Sequence, residues 1–325
     1  MHVFHGYDHV PAGLRGAALA IGNFDGVHRG HQALLNRVRE RAAASTRHGV
    51  SHLAGAMIFE PHPREFFHPE RPHFRLTTLP QKLALFERYG LDMAVVVSFD
   101  KRLACLSAED FIEQVLVAGL GVRHVVIGYD FLFGKGRQGG AYDIERTGAE
   151  MGFGVSVIRP VGEGGEVFSS SAIRAEIAQG DVKGAADMLG HWWAVAGEVV
   201  GGFKQGTGMG YPTANLKLPA GTTLAHGIYA VFVDVHGKRY NGAAYLGTRP
   251  TFDNGLPVLE VFLLDFEGDL YGRLIEVSFV DFIRGDMRFD GLDALMKQMD
   301  DDVAKARTIL VASAPSGPKH ASNAG

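Results

Sequence analysis

The alternation of apolar and polar positions divides the chain into two textures. From Ala17 to Val161, short runs rich in Val, Ile, Leu and Ala fall at 17–21, 53–59, 93–99, 124–128 and 155–160. They are apolar on both faces, which predicts strands buried in a parallel sheet rather than a half-exposed one. Amphipathic stretches separate them. Leu34, Leu35, Val38 and Ala42 make one helical stripe and residues 83–89 another, while Ser107, Glu109 and Asp110 supply an N-cap and an acidic first turn before Phe111. Strand and helix in alternation predict an α/β layer structure.

After Leu189 the pattern changes. Segments of β type at 193–200, 228–235, 241–246, 259–264 and 276–282 are separated by turns such as His236-Gly-Lys and Glu267-Gly-Asp, which predicts a small antiparallel barrel. Leu292, Leu295, Met296, Met299 and Val303 then recur at helical spacing and predict a terminal helix. The division expected is a first domain at 1–190, a second at 191–312 and a disordered tail at 313–325, where the residues are small, polar and rich in Pro and Gly. No internal repeat links the halves, so two different activities are expected.

Composition narrows the chemistry. The chain has 325 residues, is 46% apolar and 21% charged, and carries a net charge of −4, which supplies no polycation for nucleic acid. A single cysteine, Cys105, excludes an internal disulfide framework. No apolar window reaches a membrane span of about 18 residues, and His2, His5 and Asp8 are unlike a signal peptide. The expectation is a cytoplasmic protein acting on small molecules, with no nucleic-acid or membrane partner and a homo-oligomer left open.

The first chemical constellation is Gly22-Asn-Phe-Asp-Gly-Val-His-Arg-Gly-His31, which follows a buried strand and runs into a helix. Glycines at such a turn let backbone approach a phosphate, and the helix start adds partial positive charge. His28 and His31 can then donate N–H bonds to charge growing on a leaving pyrophosphate. A zinc site is disfavoured, because the i, i+4 histidine pair with an intervening Glu and any cysteine cluster are missing. Two further segments suit the same phosphates. Gly128-Tyr-Asp-Phe-Leu-Phe-Gly-Lys-Gly-Arg137 follows another strand end, and Ser169-Ser-Ser-Ala-Ile-Arg174 starts a helix with hydroxyls and places Arg174 near its beginning.

The second constellation is the glycine-rich stretch Gly201-Gly-Phe-Lys-Gln-Gly-Thr-Gly-Met-Gly210, followed by Tyr211-Pro-Thr-Ala-Asn215. Backbone amides at Gly202, Gly206, Gly208 and Gly210 can fold around phosphate oxygens, while a hydroxyl and an amide oxygen can hold Mg²⁺. The stretch is neither a P-loop nor a protein-kinase loop. Glu260 stands in the apolar segment Val258-Leu-Glu-Val-Phe-Leu-Leu264, where a carboxylate needs pairing, an exposed face or a function.

Taken in order, Gly22–His31, Phe59-Glu-Pro-His-Pro-Arg64, Gly128–Arg137, Ser169–Arg174, Gly210–Asn215, Gly247-Thr-Arg-Pro-Thr-Phe252 and the stretch 259–272 make the chain resemble the bacterial bifunctional riboflavin kinases and FMN adenylyltransferases, also called FAD synthetases. The resemblance covers about residues 15–307. It implies an N-terminal Rossmann-like nucleotidyltransferase domain with a parallel sheet, and a C-terminal riboflavin kinase-like barrel with a terminal helix. It also implies two reactions with ATP and Mg²⁺: riboflavin to FMN in the second domain, and FMN to FAD with release of pyrophosphate in the first. His28 and His31 would stabilise adenylyl transfer, with Gly22, Asn23, Phe24, Asp25, Gly30, Asp130, Arg137, Ser170, Ser171 and Arg174 around the nucleotide. Glu260 would be the kinase's general base, and Thr213 and Asn215 would order Mg²⁺ and the phosphates. Thr207, His191 and Phe262 stand where the family more often has Arg, Arg and His. Adenylyl transfer beside a degenerate kinase, and a flavin- or nucleotide-binding sensor without turnover, are the alternative readings.

Overall fold

The computed structural model describes residues 1–46, 52–200, 213–248 and 257–313. They form two compact units, Met1–Ser170 and Ser171–Gly325. The stretch 201–212, which holds Gly202, Gly206, Gly208 and Gly210, and the tail from 314 onward lie outside the described residues.

The first unit is built on six strands, β1 (His2–His5), β2 (Ala18–Ile21), β3 (Ala54–Glu60), β4 (Met93–Ser98), β5 (His124–Gly128) and β6 (Gly154–Ile158). All pair in parallel, in the order β1-β4-β3-β2-β5-β6. β2 is buried along its whole length, as strands covered on both faces must be. Leu19, Ile21, Met57, Val95 and Val125 point into one apolar core, Ala18, Ala20, Ala56, Ile58 and Val126 into another. The second core is closed by Leu34, Leu35 and Val38 of helix α1 (Arg29–Thr46). Past the short α2 (Pro63–Phe67), Phe86 of α3 (Leu79–Arg88) joins that core.

Two short helices, α4 (Lys101–Cys105) and α5 (Ala108–Asp110), lead into a wide π-helical stretch (Phe111–Gly119) whose Phe111, Ile112, Val115 and Leu116 cover the opposite face together with Ile144 of α6 (Ala141–Met151). Ser107 caps α5 as expected, accepting from the Asp110 amide at 3.0 Å. A small hairpin, β7 (Gly162–Glu163) with β8 (Glu166–Val167), ends this unit. Strand order reverses between β2 and β5, and the crevice at such a reversal is where open α/β sheets receive ligands.

β1 was not legible from the apolar pattern. It is four residues long and mostly exposed, and it joins the sheet edge by pairing with β4.

The second unit opens with α7 (Ser170–Gln179), which straddles the division, and α8 (Val182–Leu189), capped by Asp181 and ended by left-handed Gly190. Both helices fall with the first domain in a division at 190, whereas the compact units part at Ser170 and Ser171.

Six antiparallel strands follow: β9 (Ala194–Glu198), β10 (Thr213–Lys217), β11 (Gly227–Val235), β12 (Lys238–Thr248), β13 (Pro257–Leu263) and β14 (Leu274–Arg284), in the order β10-β13-β12-β11-β14-β9. The Val200 amide donates to the Asn215 carbonyl at 2.9 Å and links the two edges, so the sheet closes as a barrel. Trp193, Tyr229 and Phe279 are fully buried, with Trp193 stacked on Phe279 at 4.9 Å. A last helix, α9 (Leu292–Ala312), lays Ala306 and Leu310 on Ala230, Phe232 and Val280. Asp302 of α9 is 4% exposed and meets the Arg284 guanidinium at 2.7 Å from Nη2 and 3.0 Å from Nε. Its removal leaves that cation half-enclosed without its carboxylate, so Asp302→Ala is expected to lower stability by about 3 kcal/mol, read by urea unfolding of the full chain.

Candidate active sites

The turn between β2 and α1 is wound through unusual backbone. Phe24 and Val27 have φ of 50° and 44°, and Gly26 has 84°. A β-branched valine rarely adopts a left-handed φ, which costs on the order of 1–3 kcal/mol unless the surroundings impose it. The surroundings do so here. The Asp25 carboxylate, 3% exposed, accepts the amides of Leu76 at 2.9 Å and Thr77 at 3.1 Å, and the Thr77 hydroxyl accepts the Gly26 amide at 3.0 Å. Phe24 is enclosed against the edge of Phe86. Asp25 therefore spends its side chain inward, fixing the turn.

The turn delivers the two histidines as a stacked pair, with ring centroids 3.7 Å apart and planes 26° from parallel. The His31 amide donates to His28 Nδ1 at 3.4 Å, which leaves the His28 proton on Nε2 as a donor. Gly30 makes the stacking possible, since a Cβ there would lie 3.0 Å from the His28 ring and 3.4 Å from the Phe168 carbonyl. Burial pushes the His28 pKa down to about 4; burial first, then His28 and Lys82, hold His31 well below the usual imidazole range. Both rings are neutral N–H donors at neutral pH.

Around the pair, Ser170 at the start of α7 donates its hydroxyl to the Asp25 carbonyl at 2.8 Å. Arg29 pairs with Glu163 at 3.1 Å and lies over the Phe168 ring. Gly128 ends β5 and Asp130 stands exposed just beyond it; Arg137, also exposed, closes a 3₁₀ turn (Lys135–Arg137). Tyr129, Leu132 and, after β3, Phe67 are large apolar side chains about half exposed. Ser171 is exposed and Arg174 half-buried, both early in α7.

Sequence reasoning missed the shell that holds this turn. Lys82 donates to the Asn23 carbonyl at 2.8 Å, and Arg75 bridges Glu60 at 2.8 Å to Glu65 of α2. The segment Phe59–Arg64 was noticed only as a motif. Its His62 accepts the Arg64 amide at 3.1 Å, packs 4.6 Å from His73, and is pushed down to about 3 by burial and by neighbouring His73 and Lys82.

In the barrel, antiparallel register sets Asn215 of β10 opposite Glu260 of β13, and Glu260 opposite Tyr245 of β12. Thr213, two residues from Asn215, shares its face and faces Phe262. Leu259 and Val261 alternate with Glu260 and are buried, so Glu260 points to the outer face of the barrel. That resolves the cost of a carboxylate in an apolar strand. Gly247, two residues beyond Tyr245, leaves room for the Tyr245 ring and hydroxyl, which a Cβ there would overlap. Hydroxyl, amide and carboxylate thus share one face across adjoining strands.

Residues 10–172 match the FAD synthetase family model and residues 189–310 the riboflavin kinase model. The bifunctional riboflavin kinase/FMN adenylyltransferase of Pseudomonas fluorescens is 41% identical over 315 residues, covering 97% of this chain and 99% of the relative. The chain belongs to the bifunctional riboflavin kinase/FMN adenylyltransferase family. The Escherichia coli K12 member is 40% identical over 301 residues, 92% of this chain and 95% of its own. A solved structure described as a macrolide-efflux protein from Streptococcus pneumoniae superposes with a TM-score of 0.82 at 27% identity, over 94% of this chain and 99% of its own.

This member of the family is a bifunctional enzyme that phosphorylates riboflavin and adenylylates FMN to FAD. The depressed histidine has a measurable consequence. Between about pH 6.5 and 4 the unfolded chain binds a proton at His28 that the folded chain does not, so stability is lost as pH falls through that window. Denaturant midpoints of the free enzyme are expected to drop over this range, and to drop less in His28→Asn; equal slopes would contradict the burial of a neutral His28.

Proposed function

We propose that FMN adenylylation takes place at the stacked His28–His31 pair and riboflavin phosphorylation at the Glu260 row. One observation carries the first assignment: two neutral imidazoles stacked at 3.7 Å on the turn leaving β2, beside the reversal of strand order. An oxygen of the FMN phosphate attacks the α-phosphorus of ATP. The α–β bridging bond breaks and pyrophosphate leaves, with His28 and His31 donating to the charge that gathers on it. Gly22 and Gly30 let the backbone approach, while Asn23, Phe24 and Asp25 shape the nucleotide pocket, Asp25 by fixing the turn. Ser170, Ser171 and Arg174 are assigned to the triphosphate by the family motif, and Asp130 and Arg137 to the nucleotide edge. The exposed Phe67 and Tyr129 offer aromatic faces to a planar ring system.

In the second reaction Glu260 takes the proton of the terminal ribityl hydroxyl as that oxygen attacks the γ-phosphorus of ATP, and ADP leaves. Thr213 and Asn215 supply hard oxygen donors on the face of Glu260, a donor set suited to Mg²⁺, which neutralises phosphate charge when bound. The glycines at 202, 206, 208 and 210 are assigned to the phosphates of this second ATP. A cytoplasmic location is part of the same reading, and the use of ATP as substrate supports it.

Separate sites predict separable losses. His28→Ala is expected to lower FAD formation from FMN by about 10²–10³-fold with FMN formation unchanged. Glu260→Gln should lower FMN formation by about 10²–10⁴-fold with adenylylation unchanged. Chromatography of products from riboflavin and from FMN, supplied separately, reads both; loss of both activities from either change in a folded protein would overturn the division.

A further inference from the structure

Among the described residues, three buried side-chain atoms have no hydrogen-bond partner: Asn23 Oδ1, His31 Nδ1 and Glu60 Oε1. Two of the three residues, Asn23 and Glu60, neighbour one ammonium group, that of Lys82, whose charge also acts on His31. Lys82 is 3% exposed on α3; its Nζ donates to the Asn23 carbonyl at 2.8 Å and stands 3.9 Å from Glu60 Oε1. Burial pushes its pKa down, while Asp25 and Glu60 oppose that shift.

A buried cation is expensive to keep and needs a reason beyond packing. The place of its bonds supplies one. Asn23 begins the turn that carries the histidines, and Glu60 is the last residue of the neighbouring strand β3. Asp25 and Gly26 are tied to Leu76 and Thr77, so the second half of the turn is held without Lys82. The Asn23 carbonyl, in the first half, is held by Lys82. From Glu60 the chain of charges continues through Arg75 to Glu65 on α2, next to Phe66 and Phe67.

We propose that Lys82 is a positioning residue for adenylyl transfer: it fixes the Asn23 carbonyl, and with it the histidine turn, against the end of β3. The proposal rests on the reading of His28 and His31 as donors to the leaving pyrophosphate. Lys82 touches neither substrate; it sets where the two rings stand. Misplacement of catalytic groups by about 1 Å costs on the order of 100-fold.

The test uses the full chain with FMN and ATP, comparing Lys82→Met, Lys82→Gln, Lys82→Arg and His28→Asn. Lys82→Met is expected to lower kcat for FAD formation by about 100-fold, with KM for ATP and FMN moved by no more than about threefold. Lys82→Arg, which keeps charge and donor, should recover roughly tenfold of that loss, and Lys82→Gln, which keeps a donor only, should fall between Met and Arg. Riboflavin phosphorylation by the same preparations should be unchanged. Full activity in Lys82→Met overturns the proposal. So does a rise in KM with kcat unchanged, or an equal loss in Met, Gln and Arg together with a lowered unfolding midpoint, which is a structural role. If His28→Asn also keeps full FAD formation, the histidine reading itself fails; if His28→Asn is inactive while Lys82→Met is fully active, only the role of Lys82 does.

Discussion

A buried carboxylate governs the histidine turn. Asp25 stands in the middle of the histidine turn, and its oxygens accept the Leu76 and Thr77 amides from a segment 51 and 52 residues away. This bond pair lets the chain pass through three positive φ values in four residues, two of them at Phe24 and Val27. Without that winding His28 and His31 could not lie face to face. The Ser170 hydroxyl on the Asp25 carbonyl and the Lys82 ammonium on the Asn23 carbonyl brace the same loop from other elements. A turn fixed before substrate arrives needs little reorganisation as charge develops, and such preorganisation is the largest part of catalysis in phosphate transfer.

The barrel solves a related problem with different means. β10, β13 and β12 pair without a register shift, and Asn215, Glu260 and Tyr245 are direct neighbours across them. The alternation that buries Leu259 and Val261 turns Glu260 outward. Closure between Val200 and Asn215 uses the backbone carbonyl of Asn215, while its side chain, buried, shares the face of Glu260. One unit thus winds its histidine turn on left-handed backbone at a sheet's carboxyl edge, and the other lines up its polar row by register across paired strands.

Much of this was legible in the sequence because the forces concerned are local. Buried parallel strands show as runs apolar on both faces, and β5 falls at 124–128, as the apolar run predicts. The histidine pair was legible through its glycines and its place between strand and helix. β1 was hidden because an exposed four-residue edge strand with His2 and His5 carries no apolar run. β10 is not among the predicted β segments, because only Ala214 and Leu216 of Thr213–Lys217 supply an apolar alternation, although both lie in the barrel core. Lys82, Arg75 and Thr77 were invisible for another reason: Lys82 reaches its partner Asn23 across 59 residues, and no periodicity records a tertiary hydrogen bond. Asp25 illustrates the middle case, where the motif marked the residue and only the structure showed which way it points.

That two chemistries reside in two folds, each complete without the other's catalytic groups, is the claim on which the account stands. It is tested most directly by mixing. A His28→Ala protein and a Glu260→Gln protein, each nearly unable to make FAD from riboflavin and ATP alone, should together produce it, after a lag in which free FMN accumulates and is then consumed. A mixture that makes FMN but no FAD, or neither, would contradict the independence of the two sites.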